Sequence, residues 1–235
     1  YGCVVRGCSV TNGDGVALNR GWGGGFYLNS QAGGVATLVN CVAHNNYASG
    51  LGGGIVMYTA SDQVINCTAT RNVSGVNTGG GILMRVGGHL YNTVAWGNKG
   101  KDAPAQDIIF HEAGTGNSNV FNINNIAGKR ATSNWQSSPA NFPGFQYWFP
   151  VTQNDGVGEP SNTVDKLDAD PPQYAPHFVS PTAFTGLSSA SVDGTSSAED
   201  RAAIRSANWS LAQNSQLVDK GNDLYLDVDM TIDLL

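Results

Sequence analysis

Gly52-Gly53-Gly54-Ile55-Val56-Met57 recurs 27 residues later as Gly79-Gly80-Gly81-Ile82-Leu83-Met84. It is preceded, 29 residues earlier, by Gly23-Gly24-Gly25-Phe26-Tyr27-Leu28. A fourth copy without glycines reads Gln106-Asp107-Ile108-Ile109-Phe110, and Asp107 falls 26 residues after Gly81. A second motif keeps the same beat: Asn40-Cys41-Val42-Ala43-His44-Asn45, Asn66-Cys67-Thr68-Ala69-Thr70-Arg71-Asn72 and Asn92-Thr93-Val94-Ala95-Trp96-Gly97-Asn98. The column Cys41, Cys67, Thr93 steps by 26 and 26. Gly7-Cys8-Ser9-Val10 fits the same column at a step of 33, with a loop insertion over 14–22, and Asn122-Ile123 fits at a step of 30. Two interleaved motifs in one register define a repeat of about 26–29 residues.

Each unit holds two or three short β-rich runs separated by Gly or Asn, and none carries a ten-residue helical pattern. That excludes helical-repeat arrays. No leucine frame is present, and the unit is too short for a four-stranded propeller blade. The expected fold is all-β: a single-stranded right-handed parallel β-helix (solenoid) with irregular C-terminal loops and one short helix. About five coils fall in 1–125, stacked at roughly 4.8 Å. The usual crossover rule supports the right hand.

Period-2 alternation then assigns faces. Phe26, Ile55, Ile82 and Ile108 point inward, followed by Leu28, Met57, Met84 and Phe110. In the second strand, Val5, Leu38, Val64 and Leu90 stack inside, then Cys8, Cys41, Cys67 and Thr93, then Val10, Ala43, Ala69 and Ala95. Cys8, Cys41 and Cys67 read as a buried thiol ladder. A disulfide between rungs is possible by distance but awkward for parallel stacked side chains. Asn40, Asn66 and Asn92 would form one turn ladder, and Asn45, Asn72 and Asn98 another, because Asn tolerates the left-handed turn conformation.

The chain has 235 residues, a formal net charge of -6, 31 Gly and, by count, 23 Asn. The acidic balance excludes a general nucleic-acid binder, and no apolar run approaches the roughly 20 residues that span a membrane. The four Cys form no CxxC pair, and no His stands at finger spacing, so a structural zinc site is not expected. Gly triplets without a following Gly-Lys-Ser/Thr are not phosphate loops. The start at Tyr1, inside a repeat and with no signal peptide in view, reads as a processed or truncated chain.

Residues 1–125 carry six basic and five acidic side chains, whereas 126–235 carry six and thirteen. The repeat fades after Asn125. Residues 126–176 are rich in aromatics and Pro, too apolar for a linker, and are expected to pack on the solenoid as an ordered insertion. Residues 177–235 would supply closing coils and a cap: Phe178-Val179, Trp209-Leu211 and Leu217-Val218 as strands. Ser196-Ser197-Ala198-Glu199 would open a short helix running to about Ala207.

The Gly-triplet strand followed by Asn-Cys-Thr/Val-x-x-Asn resembles bacterial surface β-helix proteins of the pectate-lyase-like superfamily, including those with polymorphic outer-membrane-protein-type repeats. Asp168-Ala169-Asp170-Pro171, Phe178-Val179-Ser180-Pro181, Trp209-Ser210-Leu211 and Asn214-Ser215-Gln216-Leu217-Val218-Asp219-Lys220-Gly221 resemble their closing segment, a choice-of-anchor-like C-terminus. Residues 126–164 and 186–206 depart from that pattern. The resemblance implies the right-handed β-helix and a secreted or cell-surface location. It says little about activity, since fold does not set function.

The candidate site is the column that follows the first inward strand: Asn29, Tyr58, Arg85 and His111, one residue per coil. Tyr offers a stacking face and Arg a bidentate partner for a sugar carboxylate. Arg85 or His111 would be the base if the chain were a lyase. The competing reading is an ordinary solvent-facing column. The neighbouring outward column Tyr27, Val56, Leu83 and Ile109 is apolar, and the 126–150 segment or the C-terminal segment would cover it.

His44, His89 and His177 read as structural. Asp165/Asp168/Asp170 and Asp223/Asp227/Asp229 are possible calcium ligands, although neither matches an EF-hand loop, so no cofactor is assigned. The sequons at Asn66 and Asn208 carry no weight. The expected function is an extracellular, glycan-binding, adhesive or structural module whose partner is a polysaccharide or cell-surface glycan. The alternative is a polysaccharide lyase or glycoside hydrolase acting on an acidic polysaccharide.

Overall fold

The computed structural model describes residues 1–11, 21–30, 33–76, 79–101, 107–110, 121–127, 146–147, 176–190 and 195–215; Phe110, 121–127 and 146–147 are described through their backbone. The protein is mostly β, with parallel sheets and one helix. Each repeat lays strands into three parallel sheets in turn. The first sheet takes Val4–Arg6, Thr37–Val39, Val42–His44, Gln63–Ile65, Thr68–Thr70, Gly88–Trp96, Phe121–Ala127 and Gln146–Tyr147. The second takes Ser9–Val10, Tyr47–Ala48, Val73–Ser74 and Lys99–Gly100. The third takes Phe26–Leu28, Ile55–Met57, Ile82–Met84 and Ile108–Phe110.

The register follows the 26-residue beat. Val42 pairs with Thr68 and Thr68 with Val94, while Ile55 pairs with Ile82 and Ile82 with Ile108. The core between the sheets is the set of alternating positions expected: Ile55, Met57, Ile82, Met84 and Ile108 from the third sheet, with Leu38, Val64 and Leu90 and then Ala43, Ala69 and Ala95 from the first. Each of these side chains contributes roughly 1.5–3 kcal/mol when large and aliphatic, which offsets the entropy of ordering a glycine-rich chain.

The first repeat is registered differently from the sequence expectation. Val5 pairs with Ala43, not with Leu38, and Val10 pairs with Ala48 in the second sheet. Cys3, not Cys8, stacks on Cys41, since the Cys3 amide donates to the Cys41 Sγ at 3.4 Å. The physical reason lies in two left-handed turns per repeat, five residues apart. The first turn is occupied by Gly2, Asn40, Asn66 and Asn92, and the second by Gly7, Asn45, Arg71 and Gly97, all at positive φ. Gly7-Cys8-Ser9 imitates Asn40-Cys41-Val42 locally because both begin with a residue suited to that conformation. Cys8 instead occupies the position of Asn46.

That position carries an amide ladder. The Asn46 Nδ2 donates to Asn72 Oδ1 at 3.0 Å, Asn72 Nδ2 to Asn98 Oδ1 at 2.9 Å, and Asn98 Nδ2 to Asp107 Oδ1 at 2.8 Å. Each oxygen also accepts the backbone N–H of the rung before it, at 3.0, 2.9 and 2.8 Å. Asn46, rather than Asn45, is therefore the partner of Asn72 and Asn98. Asp107 ends the described ladder, at the one rung where a group without donors fits.

The cysteine column works on the same logic. The Cys41 and Cys67 thiols donate to Val39 O and Ile65 O at 3.1 Å, and the Thr93 hydroxyl donates to Tyr91 O at 2.8 Å. In turn the Cys41 amide donates to the Cys67 sulfur and the Cys67 amide to the Thr93 oxygen, both at 3.4 Å. Thr replaces Cys here because both carry one γ atom able to donate and accept. All four cysteines are free thiols, and burial pushes the Cys67 thiol well above its ordinary pKa.

The outward apolar column is covered. Val56, Leu83 and Ile109 are at most 1% exposed and form a second core with Leu51, against which Trp22 and Val76 pack. Among the described residues the cover is local, supplied by turns that enter the glycine triplets. Gly52 and Gly79, at φ 68 and 64, lie over this column, and a Cβ there would meet Val56 and Ile109. Of the 126–150 segment, only 126–127 and 146–147 are described.

The C-terminal part also differs from expectation. Phe178–Ser180 and Asn208–Leu211 pair antiparallel with each other and do not extend the three sheets. Leu217-Val218 lie outside the described residues. The helix spans Ala198–Ser206, capped by Ser197, whose Oγ accepts the Asp200 N–H at 3.0 Å; the capping pair is thus one residue beyond Ser196 and Glu199. This segment does not close the last rung. It lies along the side of the repeats, with Gly186 N donating to Arg71 O at 2.7 Å and Ile204 over Gly7.

Candidate functional site

The strand register carries past the third sheet and brings part of the expected column together. Tyr58 N donates to Leu28 O at 3.0 Å and Arg85 N to Met57 O at 2.8 Å, so Asn29, Tyr58 and Arg85 leave their strands on successive rungs. Asn29 is exposed, and Tyr58 and Arg85 are half-buried. His111 lies outside the described residues.

Two further aromatic residues complete the site. The Trp22 ring sits 6.0 Å from Tyr58, and the Tyr27 ring 5.8 Å from Tyr58, both tilted. The Arg85 guanidinium lies 5.2 Å from the Trp22 ring centre and 5.9 Å from that of Tyr58. Cation and ring quadrupole attract at such distances, by about 0.5–1 kcal/mol where partly solvated. Tyr27 is 45% exposed and presents the wet ring of the group. Its phenol is raised above the ordinary value, chiefly by burial and then by Tyr58, against an opposing effect of Arg85. It is therefore a neutral hydroxyl at physiological pH.

Sequence reasoning placed Tyr27 in the apolar column and Trp22 in an insertion. The signal for Trp22 was its place before the glycine triplet, matching Leu51 before Gly52. A residue there folds back over the outer column, and the bulk of Trp reaches the next rung.

The turn beneath the strip is held by Asp62, which is fully buried. Its Oδ2 accepts the N–H groups of Tyr58 and Thr59 at 2.9 and 2.8 Å. Its Oδ1 accepts the Ser30 N–H at 3.2 Å and hydroxyl at 2.7 Å. With four donors, this carboxylate orients the backbone that presents Tyr58 and takes no other part. The strip thus offers three rings and one guanidinium on adjacent rungs. That surface stacks on the apolar face of a sugar ring and attracts an anion.

Among the other candidates, His44 is buried and carries structural bonds described below. His89 Nδ1 lies 2.9 Å from Tyr91 Oη, and burial lowers the pKa of this imidazole. The acidic clusters at 165–170 and 223–229 lie outside the described residues. Among the described residues no three His, Cys, Asp or Glu side chains group as metal ligands, and no helix is long and apolar enough to cross a membrane. No protein family, curated protein or solved structure matches the chain.

Proposed function

We propose that the chain is a right-handed parallel β-helix of the secreted or cell-surface type and that it binds an acidic glycan on the Trp22–Tyr27–Tyr58–Arg85 strip. The observation that carries this reading is the Arg85 guanidinium set against two rings, 5.2 and 5.9 Å from their centres, beside the exposed Tyr27. Aromatic faces give a sugar apolar contact at low entropic cost, and the guanidinium adds a charge-assisted bond to a uronate. Stacked strands place such groups roughly 5 Å apart, so one ligand touches several rungs.

The test is calorimetric titration of the protein with uronate oligosaccharides at two salt concentrations. Arg85→Ala and Tyr27→Ala each weaken binding, Arg85→Ala by about 1.5–3 kcal/mol. Added salt weakens the wild type more than Arg85→Ala. Arg85→Ala also costs about 1 kcal/mol of stability, since its stem and guanidinium pack on Trp22, so binding is compared well below the unfolding transition. No heat at millimolar ligand disposes of the glycan reading. Release of unsaturated uronate products in the same cell would assign the strip to a lyase.

A further inference from the structure

His44 is a buried imidazole with no part in the strip. It lies under the C-terminal segment, its ring centre 5.4 Å from that of Trp209, which in turn packs edge-on against Phe178 at 5.1 Å. Its Nδ1 is 3.0 Å from Asn45 Oδ1. The Asn45 Nδ2 is committed as donor to Thr182 Oγ1, Phe184 O and Gly186 O, at 3.1, 3.3 and 3.0 Å. Asn45 Oδ1 is therefore the acceptor, and Nδ1 carries the proton of the neutral ring. One imidazole thus sets the amide that ties residues 182–186 to the repeats.

The remaining ties are few and lateral. Gly186 N donates to Arg71 O, Arg71 Nη1 to Thr185 Oγ1 at 3.4 Å, and Thr185 Oγ1 to Gly97 O at 3.3 Å. The two strands of the segment pair only with each other among the described residues, so detaching it breaks no rung of the three sheets. We propose that residues 176–215 form an acid-released strap, held along the repeats while the His44 imidazole beneath Trp209 is neutral.

The groups around His44 favour this. Arg6, its register partner on the preceding rung, is a cation; Thr70 on the following rung is uncharged; the strap contributes Trp209 and Thr182. Burial first, and Arg6 in addition, lower its pKa from 6.5 to about 4 against the opposing Asn45 bond. The sign follows. A docked His with a depressed pKa is fully favourable to docking above pH 6.5, and docking weakens as pH falls toward 4. A shift of that size loosens docking by up to roughly 200-fold between pH 7 and 3.5. The strap has its own titrating carboxylate, Asp200, whose pKa is lowered by its bonds to Ser189 and then Ser197. It acts within the strap and not on His44.

The experiment is native-state hydrogen exchange of the whole chain from pH 7.5 to 3.5, corrected for intrinsic rates. The Gly186 amide reports the strap, and the Val73 and Thr68 amides, which donate to Asn46 O and Cys41 O, report the repeats. Protection at Gly186 falls tenfold or more toward pH 3.5 while that at Val73 and Thr68 holds. His44→Gln flattens the fall. Arg6→Gln, an exposed substitution that leaves the core intact, moves its midpoint to higher pH, because it removes the cation that disfavours protonation. A fall below tenfold, joint loss at all three amides, or a midpoint unmoved by both substitutions overturns the latch.

Discussion

Replacing Asn72 with Ala removes four hydrogen bonds from a side chain that is fully buried. Its Nδ2 loses Asn98 Oδ1 and Ala43 O, both at 2.9 Å, and its Oδ1 no longer accepts from Asn46 N and Nδ2, both at 3.0 Å. Asn46 Nδ2 keeps its second acceptor, Val5 O at 3.1 Å, and Asn98 Oδ1 still receives the Asn72 N–H. The Asn46 N–H and Ala43 C=O lose those bonds in a dry interior. At about 1 kcal/mol for each net bond, the loss is about 4 kcal/mol. For a chain of this size that lowers Tm by roughly 8–16 °C. Asn72→Asp keeps the shape but sets a carboxylate oxygen against Asn98 Oδ1 and Ala43 O, where an amide donated. The introduced carboxyl is thereby raised in the folded state. Its penalty is complete above that raised value and disappears as pH falls below the ordinary carboxyl range near 4. Urea unfolding followed by far-UV circular dichroism at pH 7.5 and pH 4 measures both variants. A cost under 1 kcal/mol for Asn72→Ala, or an Asn72→Asp penalty equal at the two pH values, refutes the ladder as a source of stability.

Leu83→Ala on the outer column and Ile82→Ala on the inner one each cost about 3 kcal/mol, because both side chains are fully buried. A Leu83→Ala effect within about 0.5 kcal/mol would show that column open to water. In a thiol titration of the native protein, Cys3 and Cys8 react promptly while Cys41 and Cys67 wait for unfolding, as their exposure requires. Four equally fast thiols would mean that the column is not closed.

The repeat was legible because its causes are local in register. A strand side chain faces in or out by parity, and stacking puts equal positions of successive repeats in contact, so Ile55 with Ile82 and Cys41 with Cys67 follow from spacing alone. Tyr58 and Arg85 meet for the same reason. The sequence by itself therefore determined the all-β class, the parallel stacking and the inner core. Tertiary structure decided what parity leaves open. Cys3 rather than Cys8, and Asn46 rather than Asn45, were chosen by two left-handed turns that share the same residue preferences and are told apart only by what stacks on them. The outer column was buried by Leu51, Trp22 and Val76, whose turns fold back over glycines with no side chain in the way. Trp22 and Tyr27 reached Arg85 through that same fold-back. The C-terminal segment runs along the repeats because Asn45, Arg71 and Gly97 expose polar backbone at their turns, and distant residues satisfied it; no periodicity encodes a contact between positions 45 and 186.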